Sequence, residues 1–395
     1  DAQNRMNNAQ ESDLNVLNDL DKWIDNQVNG TAGGNTTGGD DKPSTSDLPS
    51  TNNTIPYYPD NTFTKVDGTD LSNGLVIKDG NGNEYVWIEV PKTTGVYPTA
   101  GLKITNFTET EYTAIETDLH TYTDYYRTSY KDTYYSDATT GLTSEKYTEL
   151  KQKMLKSVYE NGGFWIGRYE AGITKNRTSE DEEITAAPLS KAGTVENPVY
   201  PYTYVRCSQA QTLASQLSTE KSYTSSLMFG VQWDLVLKHI EVKEVANGTA
   251  LATIQSALRS DSKDWGNYID ASFTINRGKY ARDEALTTWY NYNTALENCV
   301  TYANGISTKV LASSRSNSIL LTTGASDACK KMNIYDLAGN VYEWTLEYTA
   351  DTYFPCANRG GSYDGNGSDI PASNRFNDDS TNSDFYIGFR PSLFK

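Results

Sequence analysis

Histidine is almost missing from this chain of 395 residues: there are two, His120 and His239. A histidine cluster cannot be built from two side chains, and even a two-His, one-carboxylate iron site would consume both. Cysteine is nearly as scarce. Cys207, Cys299, Cys329 and Cys356 include no CxxC pair, so the sequence carries no disulfide framework. One or two bridges and buried free thiols both stay open. Positive charge is in short supply, with 34 Lys and Arg against 51 Asp and Glu, a net charge of -17. Phosphate backbones need a basic footprint, which excludes nucleic acid as a partner. No GxSxG element accompanies the histidines, so nothing local signals a nucleophilic serine. No run of about 18 apolar residues occurs, so no segment reads as a spanning helix. The sequence opens at Asp1 without Met, and a removed leader or anchor is expected upstream; membrane attachment would run through that missing segment alone.

What is present is tyrosine, 29 of them, with 7 Trp and a mean hydropathy of -0.63. That combination predicts one sizeable core with polar extensions. The first 60 residues hold ten acidic and three basic side chains, as a solvated extension would. Within residues 1–30, Leu14, Leu17, Leu20, Ile24 and Val28 recur at helical spacing, which predicts a stem helix. It could pack on the main domain or continue an upstream stalk. Residues 31–60 are rich in Gly, Ser, Thr and Asn and read as a flexible linker, leaving 61–395 as the domain.

Inside that domain, Leu75–Pro91 reads as a hairpin around an Asp-Gly/Asn-Gly turn. Leu150, Met154, Leu155 and Val158 predict a helix that stops at Asn161-Gly162-Gly163, with a strand over 163–173. Ser208 and Gln211 suit a capping box for the next helix. Further helices are expected over Val231–Val245, with Trp233, Val236, Leu237 and Ile240 inward, and over Thr249–Arg259. From there to Leu320 the sequence reads as irregular. The fold class is α+β, loop-rich, with no internal repeat.

The C-terminal end is the most informative stretch. NIYDLAGNVYEWT (333–345) precedes NRGGSY (358–363) and IGFRPSLFK (387–395). Between Ala357 and Phe394 there is no Lys, Glu, Gln, Met or Trp, where the chain's composition would place about six. Those five are the residues that an Asn codon ending in C or T cannot reach when its two adenines mutate freely. A loop rich in Asn, Asp and Ser simply short of long side chains is the plainer reading. Adenine-directed diversification is the sharper one, and it makes Asn358, Tyr363, Asp364, Gly365, Asp369, Ile370, Asn374, Phe376, Asn377, Asp378, Asp384, Phe385 and Tyr386 the expected ligand-binding positions within 357–390. Aromatic area with short polar side chains is the mixture antibody paratopes use. Phe376 and Phe385 could instead be core residues of a closing strand.

These motifs resemble the formylglycine-generating-enzyme (sulfatase-modifying-factor) family, a variant of the C-type lectin fold. The matching residues are Tyr335-Asp336-Leu337, Gly339-Asn340-Val341, Glu343-Trp344-Thr345, Arg359-Gly360-Gly361-Ser362 and Gly388-Phe389-Arg390. Val86-Trp87-Ile88 and Phe164 to Glu170 resemble its opening strands. Catalytic members carry a cysteine pair after the RGGS turn that binds copper and activates oxygen; Tyr363–Phe389 has no cysteine, and Cys356 precedes the turn. The family's nonheme-iron branch uses histidines, which are lacking. The resemblance also implies a Ca²⁺ site formed by Asp336, the carbonyls of Gly339 and Val341, and Glu343, all hard oxygen donors. Those carboxylates could equally cap backbone N–H groups without a metal, so no cofactor is required.

Lectin-fold domains of this kind include variable proteins of diversity-generating retroelements, and some stretches resemble pilin-like surface proteins of gut-type Firmicutes. That implies an extracellular, cell-surface binding protein whose partner is a protein or glycan on another cell or phage. The alternatives are an oxygen-dependent formylglycine-generating-type or nonheme-iron enzyme, and a structural pilin subunit that assembles into filaments through the N-terminal helix.

Overall fold

The strand Glu84–Glu89 explains how the core is arranged. Along it, Tyr85 and Trp87 join one apolar cluster while Val86 and Ile88 join another. Side chains alternate across a strand, so a sheet buried on both faces needs apolar residues at every position. The next strand, Gly163–Gly167, repeats the pattern: Phe164 and Ile166 face one way and Trp165 the other, all buried. A computed structural model describes residues 47–127, 137–282 and 287–395. The expected stem helix lies outside those residues, as does the linker as far as residue 46.

Six antiparallel strands form the central sheet, in the order Thr64–Lys65, Val76–Lys78, Glu84–Glu89, Gly163–Gly167, Pro391–Phe394 and Thr224–Leu227. The second and third strands are the expected hairpin. The residues between them close on Asp79, which accepts from the Asn81 and Asn83 N–H groups. Helices Glu109–Tyr122, Ser144–Asn161 and Gly230–Ala246 contribute Ile115, Met154, Val158, Trp233, Val236 and Ile240 to the larger cluster. Each such burial contributes about 1.5–3 kcal/mol. The Ser144–Asn161 helix ends where the sequence said, at Gly162, whose φ of 71° gives the left-handed cap that Gly adopts without a Cβ clash.

Four expectations need correction. The domain is already packed at Leu48, with Thr54, Tyr57 and Tyr58 also buried, so its edge precedes Asn61. Low hydrophobicity hid this, because these few side chains insert singly into a larger core. The cap of helix Cys207–Gln216 uses Gln209, whose side chain accepts from the Arg206 N–H at 2.9 Å, whereas Ser208 and Gln211 lie inside the helix. The 163–173 stretch breaks into Gly163–Gly167 and Gly172–Ile173. The supposedly irregular stretch before Leu320 contains two three-stranded sheets, Val300–Ala303 with Ile306–Lys309 and Phe273–Ile275, and Trp289–Asn291 with Lys279–Arg282 and Ile319–Leu321. Strands of three or four residues are too short to show a period.

The Gly230–Ala246 helix is also buried more widely than one stripe, taking in Gln232, Asp234, His239 and Glu241. No helix among the described residues is long and apolar enough to cross a membrane.

Candidate functional site

The C-terminal motifs build a second, four-stranded sheet. Its order is Arg375–Asp378, Cys356–Arg359, Tyr342–Tyr348, Ile387–Phe389, with the last pair parallel. The GNVYEWT motif supplies its middle. Trp344 is buried and its indole donates to the Val205 carbonyl at 2.8 Å. Asn340 is buried with φ 61°, and its side-chain oxygen accepts from the Leu321 N–H and Asn267 amide while its amide donates to Glu170. Buried irregular backbone must find such partners. The RGGS turn needs Gly361, since a Cβ there would meet the Ile370 carbonyl at 2.2 Å with φ at 80°.

Beneath the sheet sits a fully buried network of four charges. Arg359 donates to Asp234 at 2.9 Å and Glu347 at 3.2 Å; Arg375 donates to Glu347 at 2.8 Å and also pairs with Asp234. Trp233 donates to the Ala372 carbonyl from the same helix as Asp234. The helix, the RGGS strand and the tail strand are therefore tied at one point.

Pleating turns the next residue outward. Arg375 points into the network, and Phe376 emerges on the opposite face, 46% exposed. Phe376 lies 5.8 Å from the Tyr342 ring, Tyr342 lies 6.2 Å from Tyr386, and Tyr386 lies 5.0 Å from Phe385. Arg315 stacks over Phe385 and Tyr386 at 5.9 and 6.0 Å and pairs with Asp364 at 2.6 Å. Asp378 and Asp384 complete the rim. Burial pushes both carboxyls up from their ordinary range. The Tyr386 hydroxyl is held far above its usual pKa by burial and by Asp384. The face is thus an aromatic patch edged by acids. Cavities of about 540, 520 and 310 Å³ elsewhere have none of these residues in their walls. An open face of this kind suits a large ligand better than a small molecule, which takes a concave pocket.

Of the residues expected to bind ligand, the structure brings together Asp364, Phe376, Asp378, Asp384, Phe385 and Tyr386. Asn377, half-buried, alternates to the other side of the same strand. Gly365, Asp369 and Ile370 belong to a loop that packs on residues 262–270, through Ile269 N–H to Gly365 O and Gly367 N–H to Asp270. Asn374 gives its carbonyl to Arg359. Two expectations are overturned by burial. Tyr363 is 1% exposed and packs with Ala281, Leu320 and Val341. Asn358 is fully buried, and its amide donates to Asp378 at 2.9 Å. Composition cannot tell a buried Asn or Tyr from an exposed one. Sequence reasoning missed Tyr342, Arg315, and the exposed Tyr353 and Phe354 of the 349–355 turn. Tyr342 is itself buried, 7% exposed, so it backs the exposed rings and does not offer a contact of its own; Arg315 comes from a distant segment and gave no signal.

The calcium expectation fails at Glu343. Both of its oxygens accept from Arg390, at 2.6 to 3.1 Å, and that guanidinium also donates to the Gly167 and Tyr335 carbonyls. A cation already occupies the carboxylate. Asp336 takes the Gly324 N–H on one oxygen, and burial raises its pKa to about 7. Glu170, buried beside Asp336 and Glu343, is held well above the carboxyl range. Among the described residues no group of three His, Cys, Asp or Glu side chains could hold a metal. With Glu343 engaged by Arg390, the expected ligand set lacks its second free carboxylate. Chelation is accordingly expected to leave the melting temperature unchanged; a rise of more than about 2 °C on adding calcium would restore the metal reading. His239 is buried with Nδ1 accepting from the Glu89 N–H, a structural position.

A family model described as the sulfatase-modifying factor enzyme 1-like domain matches residues 167–392, more than half of the chain. Among solved structures, the chain is similar to Treponema denticola variable protein 1 at 18% identity, over 59% of this chain and 85% of that one, with a TM-score of 0.27. No curated protein matches.

Proposed function

The chain belongs to the sulfatase-modifying factor enzyme 1-like family, and we propose that within it this is a binding protein and not a catalyst, displayed outside the cell. The observation that carries the reading is the aromatic face of Phe376, Phe385 and Tyr386, backed by the buried Tyr342 and rimmed by Asp364, Asp378 and Asp384, on a sheet braced from below. Rigid aromatics offer contact area at low entropic cost, and short polar side chains adapt around them. The missing cysteine pair after the RGGS turn and the two dispersed histidines support a loss of oxygen chemistry. The composition of residues 357–394 supports adenine-directed diversification of the same face. The N-terminal segment would serve as stem and tether, and the ligand would be a protein or glycan on another cell or phage.

Binding is tested by screening the domain on arrays of glycans and of surface-protein ectodomains, then titrating the strongest hit. Phe376→Ala should weaken that interaction about 30-fold while the melting temperature holds. A variant that binds like the parent refutes the assignment of this face. Oxygen consumption by the copper- or iron-loaded protein would refute the non-catalytic reading. Diversification has its own check in the neighbouring DNA: a reverse transcriptase beside a template copy of the tail that differs only at adenines.

A further inference from the structure

Cys207 is the first residue of the Cys207–Gln216 helix, and Cys356 opens the strand that leads into the RGGS turn. They are far apart in sequence, and both are fully buried in the same apolar cluster. The Cys207 thiol is the leading influence that pushes the Cys356 thiol up. Thr345 locates them independently. Its carbonyl accepts from the Cys207 thiol at 3.5 Å, and its hydroxyl donates at 3.0 Å to the carbonyl of Ala357, the neighbour of Cys356. The other two thiols sit elsewhere, Cys299 in a separate apolar cluster and Cys329 beside Ser326 and Asp336.

We propose that Cys207 and Cys356 are a disulfide site, and that the bridge clamps the base of the aromatic face. Two buried thiols anchored around the same residue, Thr345, on an ordered helix start and strand start, are placed for a bridge that needs little backbone motion. The oxidant is a small-molecule or protein disulfide. One Cys thiolate attacks it and releases the first thiol, forming a mixed disulfide. The second Cys thiolate then attacks the sulfur of the first and releases the second thiol. Two electrons and two protons pass to the oxidant, which leaves as two thiols.

The folded core disfavours this exchange, because thiolate is the attacking species. Cys207 and burial both push the Cys356 thiol up. The bridge therefore forms while the chain is still open. Once made, it pins the Cys356–Arg359 strand and the turn carrying Tyr353 and Phe354, whose ends are joined by the Thr349 N–H to Pro355 O bond. The long loop it closes constrains the unfolded chain strongly.

The test is to refold the reduced full chain in a buffer of oxidised and reduced glutathione, alkylate free thiols, digest, and map the peptides without reductant. The expected product is a peptide pair linked through Cys207 and Cys356, with Cys299 and Cys329 alkylated. Its melting temperature should exceed that of the reductant-treated protein by roughly 5–10 °C, a difference that Cys356→Ser abolishes and Cys299→Ser leaves intact. Recovery of Cys207 and Cys356 as alkylated thiols, or linked to either other cysteine, overturns the site. A bridge with no gain in melting temperature overturns the clamp. Neither result depends on whether the aromatic face binds a ligand.

Discussion

Asp234→Asn is expected to destabilise the folded domain by about 3–5 kcal/mol, the cost of leaving buried charge unpaired. Asp234 accepts from both Arg359 and Arg375, and its side chain is 1% exposed. Four charges, two of each sign, balance in the native network. Neutralising one leaves two guanidiniums on Glu347 in a buried, poorly screened site. Arg375 also donates to the Tyr126 carbonyl, so the strain spreads beyond the tail. Urea unfolding of the variant measures the loss. The control is Lys153→Ala, which removes a surface pair with Glu149 whose side chains are 54% and 66% exposed. Such pairs contribute less than about 1 kcal/mol. Equal, small effects from the two substitutions would mean that the network does not brace the sheet.

Acid is expected to unfold the domain partly through His239. Burial first, then the charge of Lys243, lower its pKa to about 3, from about 6.5 when unfolded. The imidazole is neutral in the fold, with Nδ1 accepting from the Glu89 N–H at 3.0 Å. A base whose folded pKa is depressed leaves stability intact above the unfolded value. As pH falls from about 6.5 towards 3, the unfolded chain binds a proton that the folded one refuses, and stability declines. At pH 4 the loss from this residue is about 3 kcal/mol. His239→Asn keeps an acceptor near the Nδ1 position and cannot be protonated. Many carboxylates titrate in the same range, so the informative quantity is the difference in unfolding free energy between parent and variant. It should change by about 3 kcal/mol between pH 7 and pH 4. Parallel curves would rule the histidine out.

The parts of the fold that could be read in the sequence are those with long periods or special backbone. The Ser144–Asn161 helix and its Gly162 stop were legible because 18 residues show a stripe and glycine alone takes the cap without strain. The Leu75–Pro91 hairpin was legible because its turn residues are specific. The alternation in Glu84–Glu89 was hidden, since a sheet buried on both faces looks uniformly apolar. The start at Leu48 was hidden too, because single aromatics anchor it without any period. At the candidate site, the tail composition singled out Phe376, Phe385 and Tyr386. It could not tell that Asn358 and Tyr363 point inward, because burial depends on pairing partners such as Asp378 and Ala281. Glu343 has the chemistry of a calcium ligand, and only three dimensions reveal Arg390 against it.

The strand Pro391–Phe394 lies between Gly163–Gly167 and Thr224–Leu227 in the central sheet. It is translated after the whole tail loop. A stop codon or a shifted reading frame anywhere between Gly361 and Tyr386 removes it, and with it Arg390. The central sheet then loses its fifth strand, Thr224–Leu227 is cut off from the other four, and Glu343 is left as a buried, unpaired charge. Only tails read through in frame can complete the fold. The architecture therefore checks the reading frame of its own C-terminal segment: a truncated or frame-shifted chain loses the inserted strand and Arg390 together and cannot close the sheet.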